Sequence, residues 1–573
     1  MFRVFLVLLR SKFENRTILK TRIALTILLL MSLLAVRAQS EVTLTGATDN
    51  FFVYSPKYEV RAMWLATIGG IDWPRQQGVE AQKRELTAML DRLQGAGINT
   101  VLLQTRIRAS VIYPSAIEPW DMCMTGRHGQ SPGYDPLQFA IDECHRRNME
   151  LHAWVVTLPV GKWKEQRCKD FVKKNPKLYV RVGDAAYMNP EDTRTGDYLA
   201  RICAEITRNY DVDGIHLDYC RYPDGWKIRV PRAKGREHIT SIVRKIHQAV
   251  KELKPWVKLS CSPVGKHDDL SRYKSGGWNA YTAVCQDAQG WLRQGLMDQL
   301  YPMMYFRDNQ FFPFALDWQE QSAGRTVAAG LGIYFLDPRE GRWQLSDVTR
   351  QLSVIRREGL GQCYFRSKFL TDNVKGIYDY VAIFNRQPAL VPPMTWAGVP
   401  QPEPLTALHL TKKGLLWWRP AESSHLSYNV YASHQYPVDT SRPENLVAIH
   451  VKGDRLQVPT DRYYAVCVVD RYGQESTPRQ LNSTTARPKV RKPSVPLVKT
   501  DGKWLELPDK GATLDATQVV IETLQGQRLM TRPYSGKRLD IRRLPDGVYV
   551  LRSLGRKGVT HRLEYFAIKR HHE

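Results

Sequence analysis

From about residue 58 to residue 390 the chain alternates short apolar runs with stretches of helical periodicity, eight times over. The apolar runs read as buried strands: Val60 to Ala66, Thr100 to Arg106, Glu150 to Val156, Gly214 to Asp218, Lys258 to Pro263, Gln299 to Met304, Thr326 to Tyr334 and Gly361 to Ser367. Between them, segments such as 80–95 and 136–147 place apolar residues at helical spacing. Strand-helix units in this number predict an α/β fold, a (β/α)8 TIM barrel with some long loops. A doubly wound open sheet is the alternative, but no glycine-rich phosphate loop accompanies the strands.

In such a barrel the strand ends converge on one face, where catalytic groups sit. The segment VDGIHLDYCRYP, residues 212–223, puts Asp218 at the tip of a short strand, with Tyr219, Arg221 and Tyr222 directly after it. The other strands bring Arg61 and Trp64, then Gln104, Arg106 and Arg108, then His152 and Trp154. Ser262 and Pro263, Tyr305, Tyr334 and Asp337 follow at later strand ends, and Trp120 lies on the long loop after the second strand. Aromatic faces among carboxylates and guanidiniums suit a sugar polymer. Glycosidic cleavage usually takes two carboxyl groups. Asp218 is the first; Glu118 and Asp287 head a set of loop acids for the second that also holds Asp268, Asp269, Asp337 and Glu340. The structural alternatives are that Asp218 caps a helix or holds Arg221, and that His152 is a buried hydrogen-bonded core residue.

Outside the barrel, residues 1–38 read as a signal peptide. Lys12, Arg16, Lys20 and Arg22 precede the apolar stretch 23–36, and Val36-Arg37-Ala38 closes it with a small-x-small pattern. This predicts export, to the periplasm, the outer membrane surface or the medium, with no stable membrane span after cleavage. The barrel is assigned to residues 55–390. A proline-rich stretch then leads to residues 398–482, short strands resembling a fibronectin type III sandwich. Residues 495–573 form a small all-β domain whose ending is similar to sorting domains of type IX secretion substrates. The nine cysteines form no CxxC pair and read as core residues. A net charge of +26 fits residence near acidic polymers, and no nucleic-acid motif accompanies it. No cofactor and no metal site are expected; His267-Asp268-Asp269 is the nearest approach to a ligand cluster.

Several segments together resemble glycosyl hydrolase-like family 10, the former domain of unknown function 187. They include EVRAMWLAT with IDWP, GINTVLLQTRIR, YPSAIEPWD, VDGIHLDYCRYP, SCSPVG and QGLMDQLYPMMY, and they cover most of residues 58 to 370 in the family's order. The resemblance implies a (β/α)8 barrel acting on glycans, peptidoglycan strands stripped of stem peptides among them. It places the family's LDY-RYP element on Asp218, Tyr219, Arg221, Tyr222 and Pro223, and an arginine of the first strand on Arg61. Relatives commonly carry an acid in the loop ahead of the YPS element, where this chain has Ala109-Ser110. The expected function is an exported glycoside hydrolase of peptidoglycan or a related polysaccharide. The alternatives are a catalytically silent glycan-binding surface protein and a hydrolase of another acidic polysaccharide.

Overall fold

A computed structural model describes residues 55–481, apart from 274 and 421–424. Between 503 and 568 it describes residues apart from the stretches 508–515, 524–527, 534–537, 546 and 556–559. The signal-peptide segment and the linker 482–502 lie outside the described residues. Eight parallel strands close into a barrel: β1 (Arg61–Leu65), β2 (Thr100–Arg106), β3 (Glu150–Val156), β7 (Gly214–Asp218), β8 (Lys258–Ser262), β9 (Gln299–Leu300), β10 (Thr326–Leu331) and β11 (Gly361–Tyr364). Three further strands, β4 (Pro159–Lys162), β5 (Tyr179–Val182) and β6 (Ala185–Met188), form a separate antiparallel sheet inserted after β3. That sheet carries α3 (Gln166–Lys174) within it. The strand pattern reaches only to Met188 because α4 (Thr193–Asn209), capped by the Asp192 side chain, then returns to the barrel.

Every barrel strand is nearly buried on both faces, as parallel strands roofed by helices must be. Side chains nonetheless alternate between the lumen and the helical shell. Val60, Ala62, Trp64 and Ala66 fill the lumen with Leu102, Trp154, Val156, Tyr301, Ala328 and Cys363. Gly214 marks the tightest point of the lower lumen, since a Cβ there would lie 2.5 Å from Nδ1 of His152. Three strands are shorter than their apolar runs. β9 stops at Leu300 ahead of Pro302, which has no N–H to donate; β10 stops at Leu331 and β11 at Tyr364. All nine cysteines are buried and unpaired.

Beyond the barrel, residues 408–480 form a sheet of Leu408–Leu410, Leu415–Trp418 and Arg455–Gln457, packed on a second sheet. The second holds Ser427–Ser433, Leu446–Val451, Tyr463–Val469 and Arg479–Gln480. One core joins them, with Leu416 and Trp418 on one side and Val430, Tyr464 and Val466 on the other. Residues 504–568 add two further antiparallel sheets around Leu505, Ile521, Ile541, Leu551 and Phe566.

Candidate active site

The C-terminal ends of the barrel strands open into a cavity of about 520 Å³. Asp218, the last residue of β7, lies on its floor. Its Oδ1 accepts from the Ser262 hydroxyl at 3.0 Å and from the Tyr219 backbone N–H at 2.7 Å, while Oδ2 accepts from Trp154 Nε1 at 3.2 Å. Burial pushes the Asp218 carboxyl above the usual carboxylate range; the three donors and nearby Arg221 oppose that rise without cancelling it. With two donors on Oδ1 and one on Oδ2, a proton on this group belongs on Oδ2.

The turn after Asp218 is unusual. Tyr219 sits in the left-handed region, φ 57°, a conformation few non-glycine residues adopt. The turn carries its ring to Tyr187 of β6, stacked at 6.1 Å, and under the Arg221 guanidinium, 4.0 Å from the ring centre. Asp224 then ties Arg221 Nη1 at 2.9 Å and the Tyr219 hydroxyl at 2.9 Å. Deeper in the lumen Trp64 Nε1 donates to His216 Nε2 at 3.2 Å, and His216 Nδ1 meets the Ser260 hydroxyl at 3.0 Å. Burial, with His152 nearby, drives the His216 imidazole well below its ordinary range, so the ring is neutral. Nε2 accepts from Trp64, so the ring proton is on Nδ1. His216 thus holds Trp64 upright, and Trp64 supports the cleft wall edge-on against Tyr305 and Phe365. Tyr305 and Phe365 stack on each other at 5.4 Å.

Residues 59–229 and 227–334, which span most of this barrel, match the family described as Glycosyl hydrolase-like 10. The barrel is similar to this family over most of its length. Among curated proteins, the glycosyl hydrolase YngK of Bacillus subtilis (strain 168) is 28% identical, covering 73% of this chain and 92% of that protein. The glycosyl hydrolase DigH of Escherichia coli (strain K12) is 31% identical over 43% of this chain and 65% of its own length. Among solved structures, the glycoside hydrolase domain of PgaB (BpsB) from Bordetella bronchiseptica is 12% identical. It covers 57% of this chain and 99% of that one at a TM-score of 0.41, a likeness too distant to argue from.

In this barrel, nine of the residues expected at the site line the cleft: Asp218, Trp64, Gln104, Arg108, Trp154, Tyr219, Arg221, Ser262 and Tyr305. The rest are held elsewhere. Arg61 faces the helical shell at the lower end of β1, where it bonds Glu59 at 2.7 Å and the carbonyls of Asn385 and Gln387. It is three residues from Trp64, so strand alternation puts the two on opposite faces. Arg106 has the lumen parity of Gln104, but a bulge between them turns it outward into a two-pronged ion pair with Glu118, at 2.8 and 2.7 Å. Glu118 also accepts from the Tyr198 hydroxyl, which spends it on structure.

Asp287 caps a short helix, accepting from the Gly290 N–H at 3.0 Å. His152 lies two residues below Trp154, fully buried and hydrogen-bonded to Glu150. The Tyr222 hydroxyl points to His238 and Glu191, Tyr334 meets Tyr305 edge-on from behind, and Trp120 pairs with Val111 on the outer loop. Ahead of the YPS element, the Ser110 hydroxyl donates to Asp121 at 2.6 Å.

Several lining residues escaped the sequence reading, among them Lys162, Asp184 and Tyr187 on the β4–β6 insertion. Their signal was the alternation LYVRV-GD-AAYM, a hairpin pattern with Gly183 at φ 60° in the turn. Among the described residues, Asp184 is the other carboxyl group lining the cleft.

Proposed function

We propose that this protein is an exported glycoside hydrolase that cleaves peptidoglycan glycan strands freed of stem peptides, with Asp218 as its proton-donating carboxyl. The observation that carries this reading is Asp218 itself, buried at a strand end on the cleft floor with its charged form disfavoured by that burial. A general acid must be protonated near working pH and must recover from losing its proton. Burial works toward the first condition by disfavouring the carboxylate. The donors from Ser262, Tyr219 and Trp154 supply the second, since they stabilise the carboxylate left behind. Asp184, on the insertion above, takes the companion role of general base or nucleophile.

The peptidoglycan assignment rests on the family resemblance of the barrel and on the export expected from residues 1–38. The sandwich at 408–480 reads as fibronectin type III-like. Its three-plus-four strand order supports this, as does the Tyr464 hydroxyl bonded 2.6 Å to the Pro459 carbonyl upstream, a tyrosine corner.

The test is hydrolysis of purified denuded glycan strands, followed by chromatography of released fragments. Asp218→Asn is expected to lower turnover by about 10³-fold and Asp184→Asn by about 10²-fold or more, with strand binding retained. Release of no fragments by the wild-type protein, together with retained binding, would establish the silent glycan binder instead.

A further inference from the structure

A second cavity, of about 850 Å³, lies at the opposite end of the barrel from Asp218, where the strands begin and the sandwich packs. Arg61, Glu150 and Lys258, the first residues of β1, β3 and β8, line the barrel side. The sandwich contributes His450, Lys452 and Arg471, the last on the turn after Tyr463–Val469. A cavity of this size falls within the range of small-molecule sites.

Its acceptors are taken and its donors are not. Among the carboxylates lining it, Glu150 holds Lys258 at 2.7 Å, Asp213 holds His145 at 2.8 Å and Asp211 holds Arg471 Nη1 at 2.8 Å. Asp470 accepts from the backbone N–H groups of Tyr472 and Gln474, both at 2.9 Å. By contrast, Arg471 Nε, Trp256 Nε1 and Arg61 Nη2 have no acceptor, and all three residues line this cavity. Arg61 is only 1% exposed, so bulk water does not answer its Nη2.

Arg471 and Trp256 act as one group. The guanidinium lies 5.7 Å from the centre of the indole ring, and the Arg471 side chain keeps 31% of its surface open beyond its pair with Asp211. The Lys452 ammonium adds to the positive charge here: it acts through space on His145 of the barrel and on His450 of the sandwich. N–H donors without acceptors beside unshared positive charge are the complement of an oxyanion.

We propose that this cavity binds a small organic oxyanion, a carboxylate or phosphate on a body of roughly one to two sugar rings, received by Arg471 and Trp256. The site lies apart from the cleft and is independent of the hydrolase reading. A ligand held there touches both the barrel and the sandwich, so its binding stabilises their union.

The experiment is calorimetric titration of the full-length protein with glucuronate, glucose 6-phosphate and neutral glucose. At least one of the two anions is expected to bind, with glucose at least tenfold weaker; the anion that binds identifies the site as one for carboxylate or for phosphate. Arg471→Gln and Trp256→Phe should each weaken that binding by about tenfold. Asp211→Asn breaks the same ion pair but leaves the Arg471 Nε donor, and it should bind as tightly as wild type. Hydrogen exchange with the anion present should slow at 145–150, 256–258 and 449–452, and not around Asp218. Failure of both anions to bind overturns the site, as does equal binding of glucose. So do wild-type affinity in the Arg471 and Trp256 variants, an equal loss in Asp211→Asn, or protection confined to the cleft.

Discussion

At the scale of the residue, the behaviour of Asp218 follows from a contest between burial and hydrogen bonding. Burial wins, so the folded protein holds the Asp218 proton more tightly than the unfolded chain does. A group raised in this way contributes stability that is fully present below the ordinary aspartate range and is lost as pH rises through the raised value. Two outcomes follow. If Asp218 is the acid, kcat/KM falls along an alkaline limb set by its raised pKa. Trp154→Phe removes a donor that favours the carboxylate, so this limb should move to higher pH, as read from a pH-rate profile. A limb that moves to lower pH, or stays still, would take Asp218 out of that role. His216 belongs to the same scale. Nothing in the pattern GIHLD distinguishes a histidine that positions Trp64 from one that does chemistry; its partners decide that.

At the scale of the element, strand parity governs which residues can serve. Period-2 alternation separates Arg61 from Trp64, and one bulge in β2 removes Arg106 from the face that Gln104 occupies. The barrel and most of its lumen were legible because eight apolar runs at regular spacing leave few other folds. The bulge was not, because a one-residue slip leaves no trace in hydrophobicity. Arg61 is a structural group: with Arg356 it holds the buried Glu59 carboxylate, which burial alone would push up and the two guanidiniums hold low. Arg61→Ala should cost ~3–5 kcal/mol of unfolding free energy, measured by denaturant titration, with the kcat of the folded fraction unchanged. The β4–β6 insertion works the other way: it touches the cleft and carries little of the barrel core. Tyr187→Ala removes the ring stacked on Tyr219 and should raise KM several-fold, with little change in melting temperature.

At the scale of the whole molecule, the barrel and the sandwich are joined by polar contacts around Glu475. Its carboxylate takes the Lys57 ammonium at 2.6 Å, the Tyr58 hydroxyl at 3.0 Å, the Asn429 amide at 2.8 Å and the Tyr431 hydroxyl at 2.6 Å. Arg471 adds an ion pair to Asp211 at 2.8 Å, and Trp396 Nε1 donates to Asp298 at 2.9 Å. Burial would raise the Glu475 carboxyl, but Lys57, Tyr431 and Asn429 more than offset it and hold it low. A depressed carboxyl contributes stability that is present above its ordinary value and is lost as pH falls through the folded one. Glu475→Gln should therefore lower stability by ~2 kcal/mol at neutral pH, and by less on acidification, as followed by calorimetry. The cysteines were legible at this scale: nine scattered thiols without paired spacing are core residues, and all are buried.

The succession of strands and helices, the sites where barrel strands end and the aspartate after GIHL are properties of local order in the chain, because periodicity and turn chemistry act over a few residues. Which acid stands opposite Asp218, which arginines are free and which are spent on Glu59 or Glu118 depend on residues far apart in sequence. Glu59 and Arg356 meet only when the barrel closes, and only then do Asp184 and Asp218 come to line one cleft. Burial and charge pairing, and with them every pKa that matters to the chemistry, come into being at that step.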